Sequence, residues 1–142
     1  MRLLVDANIL IDVLQKRIPH YEYSAQIWNL CAKRKVEGVV SSLTFANIVY
    51  VMRKRLDAET ICQITEMLTQ VFAFADFTKN DMQAAAQLRW LDYEDAIQAV
   101  TAKRIKADYI ITRNEKDFLN SPIPFSTPED FCLHIFSDDA SC

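Results

Sequence analysis

A three-layer α/β/α sandwich around a central parallel sheet is the fold this sequence predicts. Short apolar runs alternate along the chain with amphipathic stretches of ten or more residues, and strands separated by such helices pair in parallel through right-handed crossovers. The chain has 142 residues, 51% of them hydrophobic, which sets the scale at one compact domain with its own core. One glycine, four prolines and no internal repeat leave no segment that reads as an interdomain linker. The domain is expected over 1–136, with 137–142 as a flexible tail.

The first predicted strand is Leu3-Leu4-Val5, a short apolar run that stops at Asp6. Beyond the Pro19 breaker, Ala25, Trp28, Cys31 and Ala32 recur at helical spacing, and Val36 to Leu43 reads as the second strand. Phe45, Ile48, Val49, Met52 and Leu56 mark one further helix, and Ile61, Ile64, Leu68 and Val71 another. Phe72–Ala75 is expected as the third strand, Leu91 to Ala107 as a helix and Tyr109–Thr112 as the fourth strand.

Composition removes several classes of function. The most apolar long stretch, Val36 to Val51, contains Ser41, Ser42, Thr44 and Asn47 and is too short and too polar to span a bilayer. The N-terminal run meets Asp6 before a signal-peptide core could form, so a cytoplasmic protein is expected. Cys31, Cys62, Cys132 and Cys142 form no C-x-x-C pair, and only His20 and His134 could complete a zinc set; buried reduced thiols are expected instead. A net charge of −3 argues against a module that holds nucleic acid by bulk charge. It suits an enzyme whose acids gather in one pocket.

The acids do converge in this reading. Ligands of an open parallel sheet bind beyond the carboxyl ends of its strands. Asp6 ends the first strand, and Asn47 falls in the opening turn of the helix after the second. Asp92 and Asp95 open the helix that feeds the fourth strand, and Asn114 and Asp117 follow that strand directly. Taken singly, some have bland explanations: Asp92 and Asp95 could be an N-cap and a dipole-complementing acid, together contributing about 1 to 2 kcal/mol, and Asp117 could be a turn residue. Asp6 at the end of a buried strand carries a desolvation cost that needs a reason.

The combination decides between the two. A pair of carboxylates about 4 Å apart repels by about 4 kcal/mol at an effective dielectric of 20, so three at one rim oppose folding unless a cation joins them. An all-oxygen set without His or Cys suits Mg²⁺ or Mn²⁺, and phosphodiester hydrolysis is the chemistry such ions serve.

These residues resemble a known family. Leu4-Val5-Asp6-Ala7-Asn8-Ile9-Leu10, then Asp95-Ala96-Ile97 opening a small-residue helix, then Ile111-Thr112-Arg113-Asn114-Glu115-Lys116-Asp117-Phe118 are similar to the successive motifs of PIN-domain nucleases. That family is best known for the VapC-type toxins of toxin–antitoxin pairs. The resemblance implies an Mg²⁺- or Mn²⁺-dependent endoribonuclease leaving 5′-phosphate and 3′-hydroxyl ends, with RNA as substrate, a cognate antitoxin as partner and a homodimer as assembly. It implies that Asp6, Asp95 and Asp117 are the metal-binding and catalytic acids, with Asn8 and Asn114 as pocket residues. Where the family carries a Glu in the helix after the second strand, this chain has Asn47, and Asp92 stands one helical turn before Asp95 as an additional acid.

Arg113 and Lys116 are the candidate substrate-binding cations nearest the acids, with Arg53-Lys54-Arg55 and Lys103-Arg104 as outer clusters better explained as solvated helix faces. Trp28, Trp90 and Phe45 are expected in the core. Three other functions remain open: a catalytically weakened PIN fold that binds RNA or protein, motivated by Asn47; an aspartyl phosphatase, disfavoured because Asn8 stands where a second Asp is needed; and an interaction domain whose acids only cap helices.

Overall fold

A computed structural model describes residues 1–137, which form the expected sandwich. The five strands are β1 (Arg2–Val5), β2 (Glu37–Ser41), β3 (Ala73–Ala75), β4 (Tyr109–Ile111) and β5 (Phe125–Ser126). They make one sheet in the order β3-β2-β1-β4-β5, and every pairing is parallel. The helices are α1 (Ala7–Leu14), α2 (Tyr21–Ala32), α3 (Ser42–Met52), α4 (Ala58–Val71), α5 (Lys79–Leu88), α6 (Tyr93–Arg104) and the single turn α7 (Pro128–Asp130), which runs on into a π-helical turn, Phe131–Ile135. The expected tail falls largely on 138–142, outside the described residues.

Alternation of side chains along each strand builds the three layers. Leu3, Val5, Val40 and Ile111 point to one face and pack with Ile9 and Leu10 of α1, Ile27 and Cys31 of α2, Ile48 and Met52 of α3 and Leu68 of α4. Leu4, Val39 and Ile110 point the other way, against Ala99 and Ala102 of α6 and the buried Phe118. Alanines at 96, 99 and 102 let α6 lie close to the sheet, which is why this helix shows so little amphipathic contrast in sequence.

Several boundaries differ from the expectation, each for a local reason. The second strand ends at Ser41 rather than Leu43, because the Ser41 side chain accepts from the Leu43 backbone N–H and caps α3 at once. Asn47 therefore lies in the second turn of α3, not the opening one. The fourth strand stops at Ile111, and the third begins at Ala73. The helix expected from Leu91 to Ala107 is shorter, because Asp92 is its N-cap and Lys106 takes a left-handed backbone just after it ends. Helix α5, with a Thr78/Asp81 capping box, was not anticipated, nor were α1 and the two-residue β5. The cysteine expectation holds for buried Cys31, whereas Cys132 is half-buried, Cys62 is exposed on α4, and Cys142 lies outside the described residues. No helix among the described residues is long and apolar enough to cross a membrane.

The strand order reverses between β1 and β4, since β2 and β3 are added outward on one side of β1 while β4 and β5 are added on the other, all parallel. In open α/β sheets such a switch point opens a crevice at the carboxyl ends of the two central strands. Asp6 follows β1 and Thr112 follows β4 at that place.

Gly38 of β2 is required by contact. A Cβ there would come within 2.8 Å of Phe72 Cδ1 and closer still to Cys31 Sγ, both belonging to buried residues. Gly38→Ala is expected to lower unfolding free energy by about 2 kcal/mol through overpacking, measured by urea denaturation.

Candidate metal centre and active site

The crevice is built around Asp6, which is only 6% exposed. As N-cap of α1 its Oδ1 accepts from the Ala7 N–H at 2.8 Å. The same oxygen accepts from Gln98 Nε2 at 3.2 Å, and Oδ2 accepts from the Thr112 hydroxyl at 2.8 Å. Parallel register produces the last contact: Val5 pairs with Ile111, so the next residues, Asp6 and Thr112, sit side by side. Thr112 in turn accepts from the Asn114 N–H at 3.0 Å, and Gln98 also donates to Thr44 Oγ1 at 2.8 Å. Burial raises the Asp6 pKa from its ordinary value, against the pull of these three donors.

Asp92, Asp95 and Asp117 come together beside it, with one carboxylate oxygen of each lying within 4.8 Å of the others. Asp92 accepts from the Asp95 N–H as helix cap, so the bland capping role and membership of the cluster are both real. Asp117 enters on the turn Glu115–Phe118 that follows β4, anchored by the fully buried Phe118. Asp95 is 5% exposed and its Oδ2 has no hydrogen-bond partner. Burial, reinforced by the carboxylates of Asp6, Asp92 and Asp117, pushes its pKa up to about 8. The tightest trio is thus Asp92, Asp95 and Asp117, whereas the residues pointed first to Asp6, Asp95 and Asp117. Asp6 stands next to the trio with its own oxygens already engaged.

This donor set fits a hard divalent cation. It is all oxygen and carries several formal negative charges, and it includes a buried carboxylate oxygen that no protein donor satisfies. Asn8 Oδ1 and Gln98 Oε1 are two further buried oxygens without a donor.

Other predicted residues divide. Asn47 Nδ2 donates to Glu94 Oε1 at 2.5 Å, so α3, which lacks an acid at this position, instead holds one from the first turn of α6. Asn114 is exposed at the rim. Lys116 lines a cavity with Asp92 and Asp117. Arg113 does not join it: its guanidinium grips the fully buried Asp12 at 2.9 and 3.0 Å, a carboxylate that also accepts from Ser24, and it faces a separate cavity with His20, Tyr23 and Glu115. Gln98, Thr112 and Thr44 were missed by the sequence reading. The only trace of Gln98 there is a polar residue one turn beyond Asp95 among buried alanines.

A parallel sheet of this order with carboxylates at its switch point is the PIN-domain arrangement, and the PIN-domain family model matches residues 2–116: the chain belongs to that family. Among its relatives is Ribonuclease VapC1 of Aquifex aeolicus (strain VF5), 26% identical over 136 residues, covering 92% of this chain and 93% of the relative. A toxin–antitoxin complex from Klebsiella pneumoniae superposes with a TM-score of 0.66 at 27% identity, covering 89% of this chain and 97% of that one. VapBC2 from Rickettsia felis, bound to a DNA fragment from their promoter, superposes with a TM-score of 0.70 at 20% identity over 89% of this chain and 98% of that one, a likeness of fold.

Two expectations follow from this geometry. With its folded pKa near 8 against 3.8 for an ordinary Asp carboxyl, Asp95 holds a proton in the fold between those pH values that the unfolded chain has lost. The stability of the ion-free protein should therefore fall as pH rises from about 4 to about 8. Thermal unfolding in EDTA across that range checks this, and Asp95→Asn should flatten the dependence. Arg113→Ala should cost roughly 2 to 3 kcal/mol of stability by leaving Asp12 buried and unpaired, measured by denaturant unfolding; unchanged stability would return Arg113 to the substrate-binding set.

Proposed function

We propose that this chain is a divalent-metal-dependent endoribonuclease and the toxin of a toxin–antitoxin pair. The observation that carries this reading is the buried, unpartnered Asp95 Oδ2 among the carboxylates of Asp92 and Asp117, with Asp6 alongside. The named relatives support the substrate and the partner: one is a ribonuclease, and another is a toxin–antitoxin complex.

Asp6, Asp95 and Asp117 would hold Mg²⁺ or Mn²⁺, with Asp92 as a fourth carboxylate. When bound, such an ion polarises the phosphate, neutralises charge in the transition state and makes water a stronger nucleophile. The protein's own contribution is preorganisation. Thr112, Gln98 and the Ala7 N–H fix both Asp6 oxygens before substrate arrives. Asp92 fixes the start of α6, and therefore the place where Asp95 enters the crevice. Asn8 and Asn114 stand as pocket residues and Lys116 as the nearest substrate-binding cation, while the Asp12 pair takes Arg113 out of direct contact. The Asn47–Glu94 bond favours an active enzyme over a weakened binding module, because it returns a carboxylate to the α3–α6 side of the rim.

The reading extends to a cytoplasmic homodimer held inactive by a cognate antitoxin, acting on RNA through one domain spanning 1–136. The test is cleavage of a mixed RNA pool with Mn²⁺, with EDTA, and by Asp6→Ala and Asp95→Asn variants. Wild type should cut, leaving 5′-phosphate ends, and EDTA or either substitution should lower the rate by about 100-fold or more. Cleavage that survives EDTA, or its absence with every metal tried, would overturn this assignment.

A further inference from the structure

Against the acid cluster lies a cavity of about 590 Å³. Asp92 and Asp117 form part of its wall, so whatever occupies it lies against the metal centre. Arg89 and Lys116 also line it, both exposed, and among the described residues neither makes a side-chain hydrogen bond or an ion pair. These two unengaged cations offset the charge of Asp92 and Asp117 in the same wall and leave two phosphate donors beside the acids, in a chain whose net charge is −3.

The rest of the lining is apolar. Leu91 is 105% exposed and Leu119 is 72% exposed. Trp90, half-buried, packs edge-on against Phe118 with centroids 5.8 Å apart and still lines the cavity. Leu91 has no folding role in this position: it buries nothing, and it stands immediately before the Asp92 cap. Exposed apolar side chains grouped at a polar cleft mark a binding surface.

A nucleotide has this composition, a phosphate for the cations and a base for the apolar wall. Only an unpaired base can turn its face to such a wall, because a duplex keeps its bases stacked inside. Resting on the ribonuclease reading, we propose that this cavity is the subsite for the nucleotide adjoining the scissile phosphate of single-stranded RNA. Arg89 and Lys116 hold the neighbouring phosphate, and Leu91, Leu119 and Trp90 receive the base.

The test measures binding of a short fluorescein-labelled single-stranded RNA by anisotropy, on the Asp95→Asn background that leaves it uncut, over a range of KCl. Arg89→Ala with Lys116→Ala should weaken binding by about 10-fold or more and reduce the salt slope, each lost phosphate contact by about 0.7. Leu91→Ser with Leu119→Ser should weaken binding several-fold with the salt slope unchanged. The same RNA annealed to its complement, whose bases are stacked inside, should be insensitive to Leu91→Ser with Leu119→Ser. In the otherwise wild-type protein, Arg89→Ala should raise KM with little change in kcat and leave the Mn²⁺-induced rise in melting temperature intact. Unchanged affinity and slope in the Arg89/Lys116 double variant would overturn the subsite while leaving the ribonuclease reading standing. Failure of the wild type to cut RNA would remove that reading itself.

Discussion

Both carboxylate oxygens of Asp6 are held by donors from three parts of the chain, and the geometry of the whole crevice depends on that clamp. The Ala7 N–H is local and makes Asp6 the cap of α1. Thr112 arrives because β4 pairs with β1 in a register that sets it beside Asp6, and Gln98 arrives because alanines let α6 lie close to the sheet. A carboxylate in so dry a place would otherwise carry the full cost of lost hydration. The three donors offset part of that cost and, in doing so, tie the ends of β1 and β4 to the middle of α6.

The neighbouring acids pull the other way. Asp95 keeps a buried oxygen without a donor and faces three other carboxylates, an arrangement that weakens the ion-free fold and becomes favourable when a cation is present. Local instability at a site is common where function requires charge to be gathered in advance. The chain also distributes its acids unusually. With Asn at position 47, the α3 side of the rim has no carboxylate of its own, and Asn47 holds Glu94 of α6 instead. Nearly all the charge therefore comes from one helical turn and from the two residues that end β1 and follow β4.

The cations are divided with similar economy. Arg113 and Lys116 are three residues apart on one connection, yet they serve different ends: one neutralises the buried Asp12 and ties the turn after β4 to α1, the other stands at the acid cavity. Arg104, itself exposed, is likewise engaged by the fold, through the buried Asp81 of the α5 capping box and the Asp76 carbonyl. Proximity in sequence to an active-site acid is a poor guide to whether an arginine meets substrate, because a buried carboxylate offers it a drier and stronger partner.

Local patterns determined much of this protein. Four apolar runs marked four strands, helical spacing placed α2, α3 and α4, acids opening a small-residue stretch marked α6, and acids at the ends of those elements had to meet because parallel strands end on one edge. The resemblance of three motifs added the family. What local pattern could not determine depends on contacts between residues far apart in the chain: Gln98 and Asp6 are 92 positions apart, Thr112 and Asp6 are 106, and Arg113 and Asp12 are 101. Strand β5 has too few residues to show a period, and Asn47 looked like a missing acid until α6 brought Glu94 across to it. Side-chain periodicity reports which face of an element is buried; which polar partner waits on that face is decided only when the elements pack.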